Sequence, residues 1–148
     1  MQQIDLKKMN DEEKLLVDKA VEMIDYSYSP YSKYKVGAAL MDSSGKIHSG
    51  CNIESVDFTL TSHAEMVAID SMVKTGCIEV KSIAVAARGI SNKPPTPCGL
   101  CRQKISEFNN DGSCKILLVN LDEKYRIKNI FRTTLDELLP YSFSSEFL

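Results

Sequence analysis

Two short clusters constrain the fold of this chain more than any other feature: T-S-H-A-E-M at Thr61–Met66 and P-C-G-L-C at Pro97–Cys101. Each stands where a loop gives way to a predicted helix. A helix over residues 63–75 puts Ala64, Val67, Ala68, Ser71 and Met72 on its inner side, with Gly76 as its stop. Another starts near Cys98 and runs to about Phe108. If the two clusters act together, the chain must bring two helix N-termini to one point.

The remaining elements are compatible with that demand. Asn10 caps a helix over residues 11–27 whose first turn, D-E-E, suits the helix dipole; Leu15, Leu16, Ala20, Met23 and Ile24 recur at helical spacing, and Ser29-Pro30 ends it. V-G-A-A-L-M (Val36–Met41) and K-I-H-S-G-C-N (Lys46–Asn52) flank D-S-S-G, a hairpin signal with Gly45 at the positive-φ position. Val80–Ala87 and Cys114–Asn120 read as buried strands, with the loop R-G-I-S-N-K-P-P-T-P after the first of them. Tyr125–Ile130 reads as a further strand and Leu135–Leu139 as a short closing helix. The order α-β-β-α-β-α-β-β-α implies an α/β fold, a three-layer α/β/α sandwich with a mixed five-stranded sheet, as a single domain over residues 1–148.

Composition narrows the class of partner. The 18 basic and 20 acidic side chains of the 148 residues leave a net charge of −2 with no basic block, which argues against a nucleic-acid polymer. The polar start M-Q-Q-I-D-L-K-K is not a secretory signal, and no apolar run nears the ~18 residues of a membrane span. Five cysteines, an odd number without regular spacing, point to the reducing cytoplasm, where paired cysteines more often bind metal than form disulfides.

Cys98-x-x-Cys101 offers two thiolates to one ion, although the same spacing serves redox sites. A lone His63 at a helix start reads equally as a polar cap, and Glu65 as a dipole partner. Taken together, His63, Cys98 and Cys101 make a three-ligand zinc site with one tetrahedral position open for water. That arrangement belongs to catalytic rather than structural zinc. Glu65, two residues past the histidine, can approach that water without ligating and move its proton. Cys51, Cys77 and Cys114 read as buried small hydrophobes. His48, the other imidazole, reads as solvent-facing; as a fourth ligand it would make the site structural.

H-x-E followed by P-C-x-x-C is the pattern of the zinc-dependent base deaminases. The chain resembles the short-chain cytidine deaminases over nearly its whole length. The motifs are Y-S-P-Y-S-K-Y-K-V-G-A-A-L (Tyr28–Leu40), G-C-N-I-E (Gly50–Glu54), T-P-C-G-L-C-R-Q (Thr96–Gln103) and L-L-P-Y-S-F-S-S-E-F-L (Leu138–Leu148). The resemblance implies hydrolytic deamination of cytidine and 2′-deoxycytidine, one Zn²⁺ per chain, and a homotetramer with composite active sites. It implies that Asn52 and Glu54 hold a ribose hydroxyl, that Tyr34 lines the pyrimidine pocket, and that the Ala64 backbone meets the base. Phe58 and Phe143 match aromatics that reach a neighbouring subunit's site.

The chain departs from that family in two segments. H-A-E-M replaces the usual C-A-E-R, and the two changes are electrostatically matched. Three thiolates leave Zn²⁺ at −1 and favour an adjacent arginine, whereas two thiolates and a neutral imidazole leave it at zero, so Met66 needs no charge. E-S-V-D-F at Glu54–Phe58 replaces E-N-A-x-Y, and Asp57 adds a charge beside the sugar wall. This second change motivates an alternative substrate, a modified or drug-like cytosine nucleoside of the kind taken by blasticidin deaminases. A non-catalytic zinc-stabilised binding module is the reading from a different class.

Overall fold

The computed structural model of the chain describes residues 1–91 and 93–148; Asn92 lies outside the described residues. Six strands form one mixed sheet: β1 (Gln2–Ile4), β2 (Val36–Asp42), β3 (Ile47–Cys51), β4 (Val80–Arg88), β5 (Lys115–Leu121) and β6 (Ile127–Thr134). Their order across the sheet is β1-β6-β5-β4-β2-β3, with β4–β5 the parallel pair. The helices are α1 (Asp11–Glu22), α2 (Ala64–Val73), α3 (Gly99–Glu107) and α4 (Leu135–Leu138). The expected five strands become six because β1, only Q-Q-I, is too short and polar to show periodicity; it pairs antiparallel with β6.

Two apolar layers sandwich the sheet. Leu16, Val17 and Ala20 of α1 pack on Ala39, Ala84, Leu117 and Val119. On the opposite face Ala64, Ala68, Ile69 and Met72 of α2 join Ile105 of α3 against Leu40, Ile83, Val85 and Leu118. Burial of each large side chain contributes about 1.5–3 kcal/mol. The helical phases differ slightly from expectation. Val17 rather than Leu15 faces inward on α1, and Ile69 is fully buried on α2 while Val67 and Ser71 are half-covered. The strand expected at Tyr125–Ile130 runs later, because Tyr125 adopts φ 58° in the turn before it. Gly45 and Gly76 take the positive φ anticipated for them, and Asn10 and Glu13 form a reciprocal capping box on α1.

Strand direction places the site. β2 runs antiparallel to both β3 and β4, so β3 and β4 run the same way and end on one edge of the sheet. The helices that follow them, α2 and α3, therefore both begin at that edge, and both lie on the same face. α2 sits unusually close to β3. A side chain at Gly50 would place a Cβ 2.5 Å from the Ala64 carbonyl oxygen and 2.6 Å from the Ala68 nitrogen.

His48 corrects the expectation of a solvent-facing imidazole. It is buried, with Nε2 2.7 Å from Oδ2 of Asp42, a residue with no exposed surface. Asp42 Oδ1 accepts from the Ser44 N–H and hydroxyl and from the Lys46 N–H, so one carboxylate organises the whole D-S-S-G turn. Burial raises the Asp42 pKa, but the Ser44 hydroxyl, His48 and the two N–H groups outweigh it and hold the carboxyl well below its usual range. The resulting stabilisation is complete above the ordinary carboxylate pKa of about 4 and is lost as pH falls through the depressed folded value. Asp42→Ala is expected to lower unfolding free energy by about 3 kcal/mol by leaving these donors unpaired, measured as a shift in the urea midpoint.

Candidate active site

The topology brings both clusters together. His63 is the N-cap of α2 and Cys98 the N-cap of α3, and neither side chain bonds its own helix. Both are turned instead toward one point. His63 Nδ1 lies 3.3 Å from Cys98 Sγ and 3.3 Å from Cys101 Sγ, and all three ligating atoms fall within 4.8 Å of one another. A nitrogen and a thiolate sharing one tetrahedral zinc stand about 3.5 Å apart, given Zn–N of about 2.0 Å and Zn–S of about 2.3 Å. The donor set fits that ion. Cys101 is buried at the base, His63 is half-covered and Cys98 is exposed, so the group faces outward through Cys98.

Glu65, only 5% exposed, stands in the first turn of α2 beside this group. Burial pushes its carboxyl up, opposed by its own N–H, the Cys101 thiol and His63. The Cys101 thiol is likewise raised by burial and then by the charges of Glu65 and Cys98. Thiol and carboxyl thus resist sharing negative charge unless a cation lies between them. Zn²⁺ is such a cation, and it deprotonates a coordinating thiol outright.

A cleft of about 370 Å³ opens over the group and is lined by His63, Glu65, Cys98, Tyr34, Asn52, Glu54, Phe58 and Ala64. Of the residues expected in the site, Phe143 alone lies outside both the cleft and the ligating group; it stacks on Phe147 at 5.5 Å and lines a separate cavity. Phe58 meets Tyr31 edge-on at 6.0 Å, and the Tyr34 hydroxyl donates to the Arg88 carbonyl at 2.9 Å. Burial raises the Tyr34 phenol, partly offset by Arg88. Asp57 does not line the cleft. It caps the short 3₁₀ turn Phe58–Leu60 by accepting from the Thr59 N–H and hydroxyl, so the charge expected beside the sugar wall is a local cap.

Sequence reasoning missed Ser32, Thr61 and Thr96 in the cleft wall, and Arg102 behind it. Arg102 donates from Nε to the Pro97 carbonyl at 2.7 Å and from Nη1 to the Leu138 carbonyl at 2.9 Å, fastening the loop before Cys98 to α4. Ser32 and Arg102 both fall inside quoted motifs, but a hydroxyl or guanidinium that serves backbone has no signature of its own.

Residues 9–115 match the family model for the cytidine and deoxycytidylate deaminase zinc-binding region. The chain belongs to that family. It is 41% identical to a cytidine deaminase of Sporosarcina psychrophila over 92% of this chain and 93% of the relative. It is 31% identical to a blasticidin-S deaminase of Bacillus cereus over 87% and 90% of the two. A crystal structure of cytidine deaminase from Burkholderia pseudomallei superposes with a TM-score of 0.79 at 31% identity, covering 91% of this chain and all of that one. The family's zinc and the donor group described above agree on one Zn²⁺ per chain.

The close contact at Gly50 sets where α2 begins, so Gly50→Ala is expected to push the helix start off β3. Stability should fall by about 1–3 kcal/mol, and zinc retained through dialysis, measured by metal analysis, should drop below one per chain.

Proposed function

We propose that the chain catalyses hydrolytic deamination of cytidine and 2′-deoxycytidine, adding water and releasing ammonia to give uridine and 2′-deoxyuridine. The observation that carries this reading is a buried carboxylate, Glu65, set beside an imidazole and two thiolates on the floor of a nucleoside-sized cleft. Residues 1–148 act as one catalytic unit, with His63, Cys98 and Cys101 holding the ion. Bound there, zinc polarises a water so that it gives up a proton near neutral pH.

Glu65 takes that proton as the water oxygen adds to C4 of the ring, and delivers a proton to N3. It then takes the remaining proton of the new C4 hydroxyl and gives it to the amine, so that the C4–N bond breaks, ammonia leaves and C4 becomes the carbonyl of uridine. A carboxyl whose proton affinity is raised by burial is suited to carry a proton in both directions. Tyr34 and the Ala64 backbone hold the base. Asn52 offers an N–H and Glu54 an acceptor, a pairing that takes a sugar hydroxyl.

Four apolar side chains in the segment between β3 and α2, Ile53, Val56, Phe58 and Leu60, are exposed in the single chain. They support a homotetramer in which Phe58 and Phe143 complete neighbouring sites. Five unbridged cysteines suit the cytoplasm.

The blasticidin-S deaminase relative and the altered segment Ser55–Phe58 support a modified cytosine nucleoside as the second reading, although the Asp57 carboxylate of that segment is engaged as a local cap. Comparing kcat/KM for cytidine and for a peptidyl cytosine nucleoside separates the two. A closed binding module would need a fourth protein ligand, and His48, the remaining imidazole, is held by Asp42.

Glu65→Gln is expected to keep one zinc per chain while kcat for cytidine falls about 10²–10⁴-fold. Near wild-type turnover by the zinc-loaded variant would refute the proton shuttle.

A further inference from the structure

Asn52 and Glu54 do not stand free in the cleft, because the segment 27–34 grips both. Asn52 Oδ1 accepts from the Val36 N–H at 2.9 Å and from the Ser27 hydroxyl at 2.5 Å, while Nδ2 donates to the Tyr34 carbonyl at 2.8 Å. An amide oxygen has two lone pairs and an amide nitrogen two hydrogens. The acceptor end is therefore full, and one N–H remains. Ser27 has one other acceptor, Ser29 Oγ, at a longer 3.3 Å, so its hydrogen goes to Asn52.

Glu54 is held in the complementary way. Oε2 accepts from the N–H groups of Tyr31 at 3.0 Å and Ser32 at 3.2 Å, and Oε1 accepts from the Ser32 hydroxyl. Ser32 Oγ itself accepts from the Tyr34 N–H at 3.0 Å, which turns its hydrogen toward Glu54. Burial pushes the Glu54 carboxyl up, but these donors outweigh it and keep the group below its usual range, hence ionised and still able to accept once more on Oε1. Backbone bonds between Tyr28 and both Asn52 (3.0 Å) and Glu54 (2.8 Å) lock the two segments together.

We propose that Ser27 and Ser32 are positioning residues for substrate recognition: they hold Asn52 as a donor and Glu54 as an acceptor, so that the pair selects a group able to accept and donate at once, a sugar hydroxyl. Ser27 reaches the substrate only through Asn52, and Ser32 acts through Glu54. The proposal rests on the Asn52–Glu54 reading given above, and adds what sets the polarity of that pair.

The test is a cycle of enzyme and substrate changes on the zinc-loaded protein. kcat and KM are measured for wild type, Ser27→Ala, Ser32→Ala and Ser32→Thr with cytidine and with 2′,3′-dideoxycytidine, which lacks the ring hydroxyls at C2′ and C3′. For Ser32→Ala the loss of kcat/KM on cytidine should exceed the loss on dideoxycytidine by about tenfold or more, mainly through KM, as expected for a hydrogen bond to a charged group. Ser27→Ala should show the same asymmetry at about two- to tenfold. Ser32→Thr, which keeps the hydroxyl, should restore most of it. Equal losses on the two substrates would overturn the positioning role and leave the Asn52–Glu54 reading standing. A wild-type enzyme that does not distinguish the two substrates would overturn that reading itself.

Discussion

The structure depends on the direction of two strands. Because β2 runs against both of its neighbours, β3 and β4 end on the same edge, and each is followed by a helix packed on the same face. Two helix N-termini converge there as a consequence of topology, and their N-cap residues are His63 and Cys98. β2 contributes too: its start lies at that edge, which brings the preceding segment, with Ser32 and Tyr34, into the cleft wall. Gly50 is the local condition for the arrangement, since only a residue without a side chain lets α2 lie so near β3.

The electrostatics of the proposed site follow from its ligand set. Two thiolates and a neutral imidazole balance Zn²⁺, and the position after Glu65 is occupied by the uncharged Met66. The cation in the first turn of α3, Arg102, donates its hydrogen bonds to the carbonyls of Pro97 and of Leu138 in α4 rather than to the thiolates. Glu65 stands beside the ligating group, and burial raises its proton affinity, opposed by its own N–H, the Cys101 thiol and His63.

Much of this was legible in the sequence, for identifiable reasons. Helix starts announce themselves through caps and turns, and metal ligands through spacing, so His63, Glu65, Cys98 and Cys101 were readable together. What escaped were residues whose role is set by a distant partner. β1 exists because β6 offers it an edge. His48 is buried because Asp42, six positions earlier, faces it across the hairpin. Asp57 looked like a feature of the substrate wall and is instead a cap, a distinction that depends on where its carboxylate turns. Ser27 and Ser32 are common residues in a turn-rich stretch, and only the placement of Asn52 and Glu54 opposite them gives them meaning.

The central claim is that converging helix N-termini build an open zinc site that activates water against a cytosine ring. Its most direct test follows the loss of cytidine absorbance with the purified protein before chelation, after removal of metal, and after stoichiometric zinc is restored. Turnover to uridine that disappears with the metal and returns with one zinc per chain is the expected result. A protein that holds one zinc per chain yet leaves cytidine unchanged, or one that deaminates it equally well after the metal has been removed, would contradict the claim.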